Sequence, residues 1–287
     1  RQWKYSTVSG GPYNQTIAGA TGTTYTPNFS SWGTYYVICE SVYNAVTYTS
    51  NEVKVSLQIF SEQTGINLTD ISDGKALWGD YDNDGDLDIL ITGYSVSGYV
   101  TKLFKNNSGI FDEISAGFAN VQSSAAEWGD YDNDNDLDLI LTGWVGSSNY
   151  ISKIYRNDAG VFTDINAGLT GVHNGSVSWG DYDNDGDLDL LLTGNSITGD
   201  IAKIYRNDAG TFTDIGANIA AVSSSSSEWG DYDNDGDLDI LIGGGWNSRI
   251  YRNDNGIFTD INAGLTGLWD CSVAWGDYDN DGDLDIA

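Results

Sequence analysis

The 287-residue sequence has no methionine, two cysteines, two prolines and a single histidine. Cys39 and Cys271 lie far apart with no second Cys or His at ligand spacing, so neither a redox motif nor a zinc site can be built from them. No apolar run reaches the roughly 18 residues that a membrane-spanning helix needs, so no insertion into a bilayer is expected. Cations are scarce: 12 Lys and Arg stand against 42 acids, for a formal net charge of −30. Such a surface repels phosphates, which argues against nucleic acid and anionic lipid as partners. No Gly-x-Ser-x-Gly, Cys/His pair or phosphate-cradling loop occurs, and His173, the lone histidine, reads as a solvated loop residue. The chain is therefore not expected to be an enzyme. It shows no signal peptide and opens on Arg-Gln-Trp in mid-pattern, as a mature product or a fragment does.

What the chain has instead is one word written five times. "WGDYDNDGDLDI" begins at Trp78, and near-copies begin at Trp128, Trp179, Trp229 and Trp275, at spacings of 50, 51, 50 and 46 residues. These segments hold 25 aspartates; without them 17 acids face 12 bases, so the acidity is local and patterned. Other words keep the same register. "KLFKNNSGIFDEI" (102–114), "KIYRNDAGVFTDI" (153–165), "KIYRNDAGTFTDI" (203–215) and "RIYRNDNGIFTDI" (249–261) each place a Phe 17 residues before the next Trp. Phe60 precedes Trp78 by 18 and marks a partial unit before the first full one.

Within each unit the period is that of strands. "LDILITG" (87–93) is a continuous apolar run, as in a strand buried on both faces, "SKIYRND" (152–158) alternates, "VFTDI" follows a Gly-containing turn, and "SVSW" (176–179) supplies a fourth strand. Four short strands in about 50 residues, repeated, predict an all-β fold, a β-propeller of four-stranded blades. Four complete repeats plus partial ones are visible, and the remaining blades are expected from the rest of the chain. The division predicted is 1–57 and 58–287.

The aspartates have the spacing of a metal loop. Counting from Asp80, carboxylates fall at positions 1, 3, 5, 7 and 9 with Gly85 at position 6. Alternating carboxylates around a turn-permitting Gly can surround one hard cation, and calcium takes six to eight oxygens at about 2.3–2.6 Å. An EF-hand is excluded, because position 12 is Ile91 and a strand follows rather than a helix. Magnesium suits such a loop less well, and five adjacent carboxylates repel unless something neutralises them. The candidate ligands are Asp80, Asp82, Asp84, Asp86 and Asp88; Asp130, Asp132, Asp134, Asp136 and Asp138; Asp181, Asp183, Asp185, Asp187 and Asp189; Asp231, Asp233, Asp235, Asp237 and Asp239; and Asp277, Asp279, Asp281, Asp283 and Asp285. About one Ca2+ per repeat, up to five, is expected. The second copy carries Asn135 in place of Gly; Asn tolerates the left-handed conformation next best, so that site should persist.

A four-stranded blade carrying D-x-D-x-D-G-x-x-D resembles the FG-GAP repeat of integrin α-subunit propellers, and in wording the bacterial FG-GAP/VCBS-type repeats, over about residues 60–287. Phe-Gly is Trp-Gly here. The resemblance implies calcium in the hairpin between the first two strands of each blade, held by positions 1, 3, 5 and 9, with position 7 acting through its carbonyl. The first 57 residues resemble the back half of an immunoglobulin-like β-sandwich of bacterial surface type, with Trp3 on the third strand and Cys39 on the sixth. That combination is similar to large bacterial surface proteins, some exported by the type IX route. It implies an extracellular, secreted or cell-surface protein in adhesion or as a structural module, with a cell-surface protein or glycan as partner.

The face opposite the aspartate loops should carry Tyr94, Tyr99, Trp144, Tyr150, Trp246 and Trp269, with Asn149, Asn195 and Asn247 near them. Aromatic faces beside amides suit sugar rings, so Trp144, Tyr150, Trp246 and Trp269 are candidate ligand-binding residues. The same rings could instead fill space between blades. A lectin-like propeller, or the non-catalytic part of a secreted polysaccharide-degrading enzyme, is therefore the alternative reading.

Overall fold

A computed structural model describes residues 1–26, 29, 33–57 and 66–287. Contacts gather the chain into two compact units, Arg1–Thr64 and Gly65–Ala287. The anchor expected at Phe60 and the start of the second domain expected at 58 lie outside the described residues. Among the described residues there is no helix, and so none long and apolar enough to cross a membrane.

In the first unit, β3 (Gly33–Tyr43) pairs antiparallel with β1 (Gln2–Ser6), which also carries the short β2 (Gln15–Thr16). On its other side β3 pairs with β4 (Val46–Thr49) and then β5 (Val53–Leu57). Those two are halves of one strand: the register steps by one residue between Glu40↔Thr49 and Val37↔Val53, as at a β-bulge. Trp3 lies opposite Cys39, and Val37 and Ile38 are buried.

The second unit is built from antiparallel four-stranded meanders. Blade 1 comprises β6 (Ser72–Gly79), β7 (Asp88–Ser95), β8 (Gly98–Asn107) and β9 (Ile110–Ile114). Blade 2 comprises β10 (Gln122–Gly129), β11 (Asp138–Gly146), β12 (Asn149–Asp158) and β13 (Val161–Asp164). Blade 3 comprises β14 (Val177–Gly180), β15 (Asp189–Ser196), β16 (Gly199–Asp208) and β17 (Thr211–Asp214). Blade 4 comprises β18 (Ser226–Gly230), β19 (Asp239–Gly244), β20 (Asn247–Asp254) and β21 (Ile257–Asp260). A last hairpin, β22 (Trp275–Gly276) with β23 (Asp285–Ile286), begins a fifth. The first strands β6, β10, β14 and β18 touch in succession, so chain order within a blade runs from hub to rim. This is the propeller arrangement that the 50-residue period predicts.

Three of the hydrophobic cores lie between blades, and a fourth, smaller one of Ile89, Ile91 and Phe104 lies on the first face of blade 1. Tyr81, Leu90 and Leu103 of blade 1 pack with Ala126, Leu139, Leu141 and Tyr155 of blade 2. Blades 2 and 3 repeat this through Ile140, Ile154, Trp179, Leu190 and Leu192, and blades 3 and 4 through Leu191, Ile204, Trp229, Ile240 and Ile242. The second strand of each blade is buried along its length, between blades on its inner faces and under Ile71, Phe104 and Phe111 on the first face of blade 1, which explains its unbroken apolar run.

The Trp-Gly pair is the seam. Each indole lies across the Gly of the blade before it: a Cβ placed on Gly79, Gly129, Gly180 or Gly230 would stand 2.6–2.8 Å from the ring of Trp128, Trp179, Trp229 or Trp275. Gly276 has no such neighbour within 4 Å. Replacing Gly180 by Ala should therefore cost about 1–3 kcal/mol by overpacking, whereas the same change at Gly276 should be nearly neutral. Denaturant unfolding of the two variants checks this, and equal losses would count against the seam.

Candidate metal centre

Each aspartate segment is the hairpin joining the first and second strands, with the Gly of Trp-Gly paired to the Asp at position 9 (Gly79↔Asp88, Gly129↔Asp138). The position-9 carboxylates Asp88, Asp138, Asp189 and Asp239 are fully buried. One oxygen accepts the backbone N–H of the loop Tyr at 3.0–3.2 Å. The other accepts the N–H of Asn106, Asn157, Asn207 or Asn253 on the third strand at 2.7–2.8 Å. Position 9 thus ties three strands together.

The rest of the loop is organised by its own carboxylates. In all five copies the position-1 Asp accepts the N–H groups of positions 5 and 6 at 2.9–3.1 Å. The position-5 Asp accepts the N–H of position 7 at 2.9–3.0 Å. Two left-handed residues make the curl possible: Asn at position 4 (φ 56 to 60°) and Gly at position 6, which is Asn135 in loop 2 with φ 71°. The Asn135 N–H still reaches Asp130 at 2.9 Å, so the substitution leaves that loop's conformation intact.

Positions 1, 3 and 9 converge. In each of the five loops, one oxygen from each of these three carboxylates lies within 4.8 Å of the others: Asp80, Asp82 and Asp88; Asp130, Asp132 and Asp138; Asp181, Asp183 and Asp189; Asp231, Asp233 and Asp239; Asp277, Asp279 and Asp285. Oxygens on opposite sides of one calcium are at most roughly 5 Å apart, so the spacing fits a shared ion. Two further observations agree. Asp82 Oδ1 and Asp132 Oδ1 are buried without a hydrogen-bond partner, and in loop 1 a cationic group, the Lys105 ammonium, sits against Asp82 and Asp84. The donors are all hard oxygens, as calcium requires.

Position 7 is engaged elsewhere. The second oxygen of Asp86, Asp136, Asp187 and Asp237 accepts an N–H from the turn between the third and fourth strands at 2.7–2.9 Å. The first oxygen of Asp136, Asp187, Asp237 and Asp283 accepts the position-4 Asn amide of the preceding loop at 2.8–3.2 Å. The position-5 Asp side chains also stand outside the converging set.

The position-4 Asn ladder was not singled out from sequence, although its five identical copies were visible. A second missed device is the third-strand Asn. Asn157, Asn207 and Asn253 each donate to a loop-Tyr carbonyl of the preceding blade (Tyr81, Tyr131, Tyr182) at 2.7–2.9 Å. At the hub, Glu127 and Glu228 accept the N–H groups of Trp179 and Trp275 at 3.0 and 2.7 Å. Burial pushes the Glu127 carboxyl up to about 7.

The aromatic candidates stand at the other end of the blades and fall into two groups. Tyr94, Tyr99 and Trp144 form a run with ring centroids 6.0 and 5.8 Å apart, and Tyr150 stacks on His173 at 4.2 Å. Trp246 and Trp269, both exposed, lie 6.3 Å apart. Trp246 borders an open cleft of about 290 Å³ with Asn247, Arg249, Asp260 and Asn262. Cys39 and Cys271 are free thiols.

Together the meander blades and their acidic, cation-sized first hairpins define a class of β-propeller with metal-type loops. A profile of the FG-GAP-like repeat matches residues 80–141, 130–192 and 231–287, and the chain belongs to that family. No curated protein sequence matches it. Among solved structures, an Agrocybe aegerita lectin described as recognising non-reducing terminal N-acetylglucosamine aligns with a TM-score of 0.46 at 18% identity, over 88% of this chain and 68% of that one.

Burial is the main cause that raises Asp138 and Asp189 to about 7 and Asp239 to about 6. A raised folded-state value favours the protonated fold, so this contribution is present below the ordinary carboxylate range and lost as pH rises through about 7. In chelator the protein should therefore gain thermal stability from pH 8 to pH 5. A cation held at positions 1, 3 and 9 would compete with these protons, so any Tm difference between calcium and chelator should shrink over the same range. A difference independent of pH would contradict this account.

Proposed function

We propose that the chain is a calcium-stabilised, non-enzymatic binding module of the cell surface or the secreted space, acting in adhesion or as an extracellular structural element. The observation that carries this reading is the convergence of positions 1, 3 and 9 in five loops, with a buried, unpartnered position-3 oxygen in two of them. Such an array of carboxylates in a small-cored blade is poorly stable without a counter-charge, and calcium supplies one. Extracellular modules bind calcium at about 0.1–1 mM, which suits the calcium level outside cells. The antiparallel pairing of Trp3 with Cys39 supports an immunoglobulin-like reading of the first unit, a common neighbour in surface proteins.

At about 2 mM calcium, each such site contributes roughly 1–2 kcal/mol. Removing calcium with excess chelator should then lower the Tm of the intact chain by roughly 10 °C. An unchanged melting curve would sink the reading.

A second reading, a lectin-like surface, is favoured by Trp246, which is 70% exposed beside the cleft that holds Asn247 and Asn262. An exposed indole beside amides can stack on a sugar ring and bond its hydroxyls. A glycan array in calcium should show signal that Trp246→Ala abolishes; an empty array leaves a protein partner as the ligand.

A further inference from the structure

Blade 1 departs from the repeat at two linked positions. Blades 2, 3 and 4 carry Arg156, Arg206 and Arg252 on the third strand, and each guanidinium donates two hydrogen bonds, at 2.7–3.1 Å, to the Asp two residues on: Asp158, Asp208 and Asp254. Blade 1 has Lys105 and Asn107 at these places. The neutral Asn107 offers no counter-charge, and the compact ammonium turns instead into the loop. Lys105 Nζ pairs with Asp82 Oδ2 and lies 3.1 Å from Asp84 Oδ2. Among the described residues, no ion pair reaches Asp132, Asp183 or Asp233, the position-3 carboxylates of the next three loops. A delocalised fork held by its own strand thus leaves those loops open, whereas a point charge on a flexible stem enters loop 1.

We propose that Lys105 is a built-in competitor for the cation in loop 1. On this basis loop 1 is held together by its own ammonium when calcium is low and takes up calcium after the other blades have filled. The proposal rests on the calcium reading above. It makes the array graded: blades 2 to 4 respond to calcium first, and blade 1 only when the ion displaces Lys105 from Asp82 and Asp84.

Calorimetric calcium titration of the full chain at fixed pH tests it, comparing wild type, Lys105→Gln, and the double variant Lys105→Arg with Asn107→Asp, which restores the pattern of the other blades. A charge-assisted contact is worth enough that its displacement should weaken the loop-1 site about tenfold or more. Both variants should gain one tight site relative to wild type with total stoichiometry unchanged. In chelator, Lys105→Gln should also melt below wild type, having lost the ammonium that pairs with Asp82 and Asp84. Isotherms that coincide for all three proteins would overturn the proposal. Calcium uptake by none of them would overturn the calcium reading beneath it.

Discussion

A twisted four-stranded sheet with two apolar faces cannot stand alone in water, and in this chain the facing sides of blades 1 to 4 are buried against one another. The rest of the second unit follows from that constraint. Because the cores lie between blades, the residues that recur are those that meet a neighbour: the indole that covers the preceding Gly, the third-strand Asn that binds a carbonyl one blade back, and the loop Asn that binds the next loop. Period in the sequence is the trace of neighbour contact in the fold.

The aspartate loops add a second requirement. The position-9 carboxylate is placed where it accepts two backbone N–H groups that would otherwise be unpaired, so it belongs to the sheet as much as to the converging set of carboxylates. Positions 1 and 5 close the turn in the same way, through N–H groups of their own loop. The loop is therefore preformed by hydrogen bonding, and what is left over is negative charge at positions 1, 3 and 9 pointing at a common centre. Preforming a site in this manner lowers the ordering cost of binding, so that even a weakly held cation would clamp the first strand to the second.

Much of this was legible in the residues. Five in-register words gave the blades, the unbroken run "LDILITG" gave the doubly buried second strand, and alternate aspartates gave an oxygen-lined loop. The division of labour among the five carboxylates was not legible, because spacing alone cannot show which oxygens already have backbone partners. Asp136 reads like Asp132 in sequence, yet its oxygens go to Ala159 and to Asn83 of the previous loop. The reason for Trp-Gly was hidden too. Nothing local to Gly180 demands a glycine; the demand comes from Trp229, 49 residues on.

Departures from the repeat are then as informative as the repeat itself. Where Tyr155, Tyr205 and Tyr251 take an N–H of the strand-leading connector on the phenol oxygen, blade 1 has Phe104, which has no hydroxyl to offer. Trp78, with no Gly of a preceding blade beneath it among the described residues, is exposed where Trp179 and Trp229 are buried. On the opposite end, the aromatic residues follow no period at all: Tyr94, Trp144, Asn195 and Gly245 occupy the matching place at the end of four successive second strands. Part of that variation is neighbour contact, since Tyr94, Tyr99 and Trp144 pack in a run across blades 1 and 2, whereas Trp246 stays exposed. This end of the blades is thus where the rules of the repeat lapse, while the aspartate hairpins keep theirs in every copy.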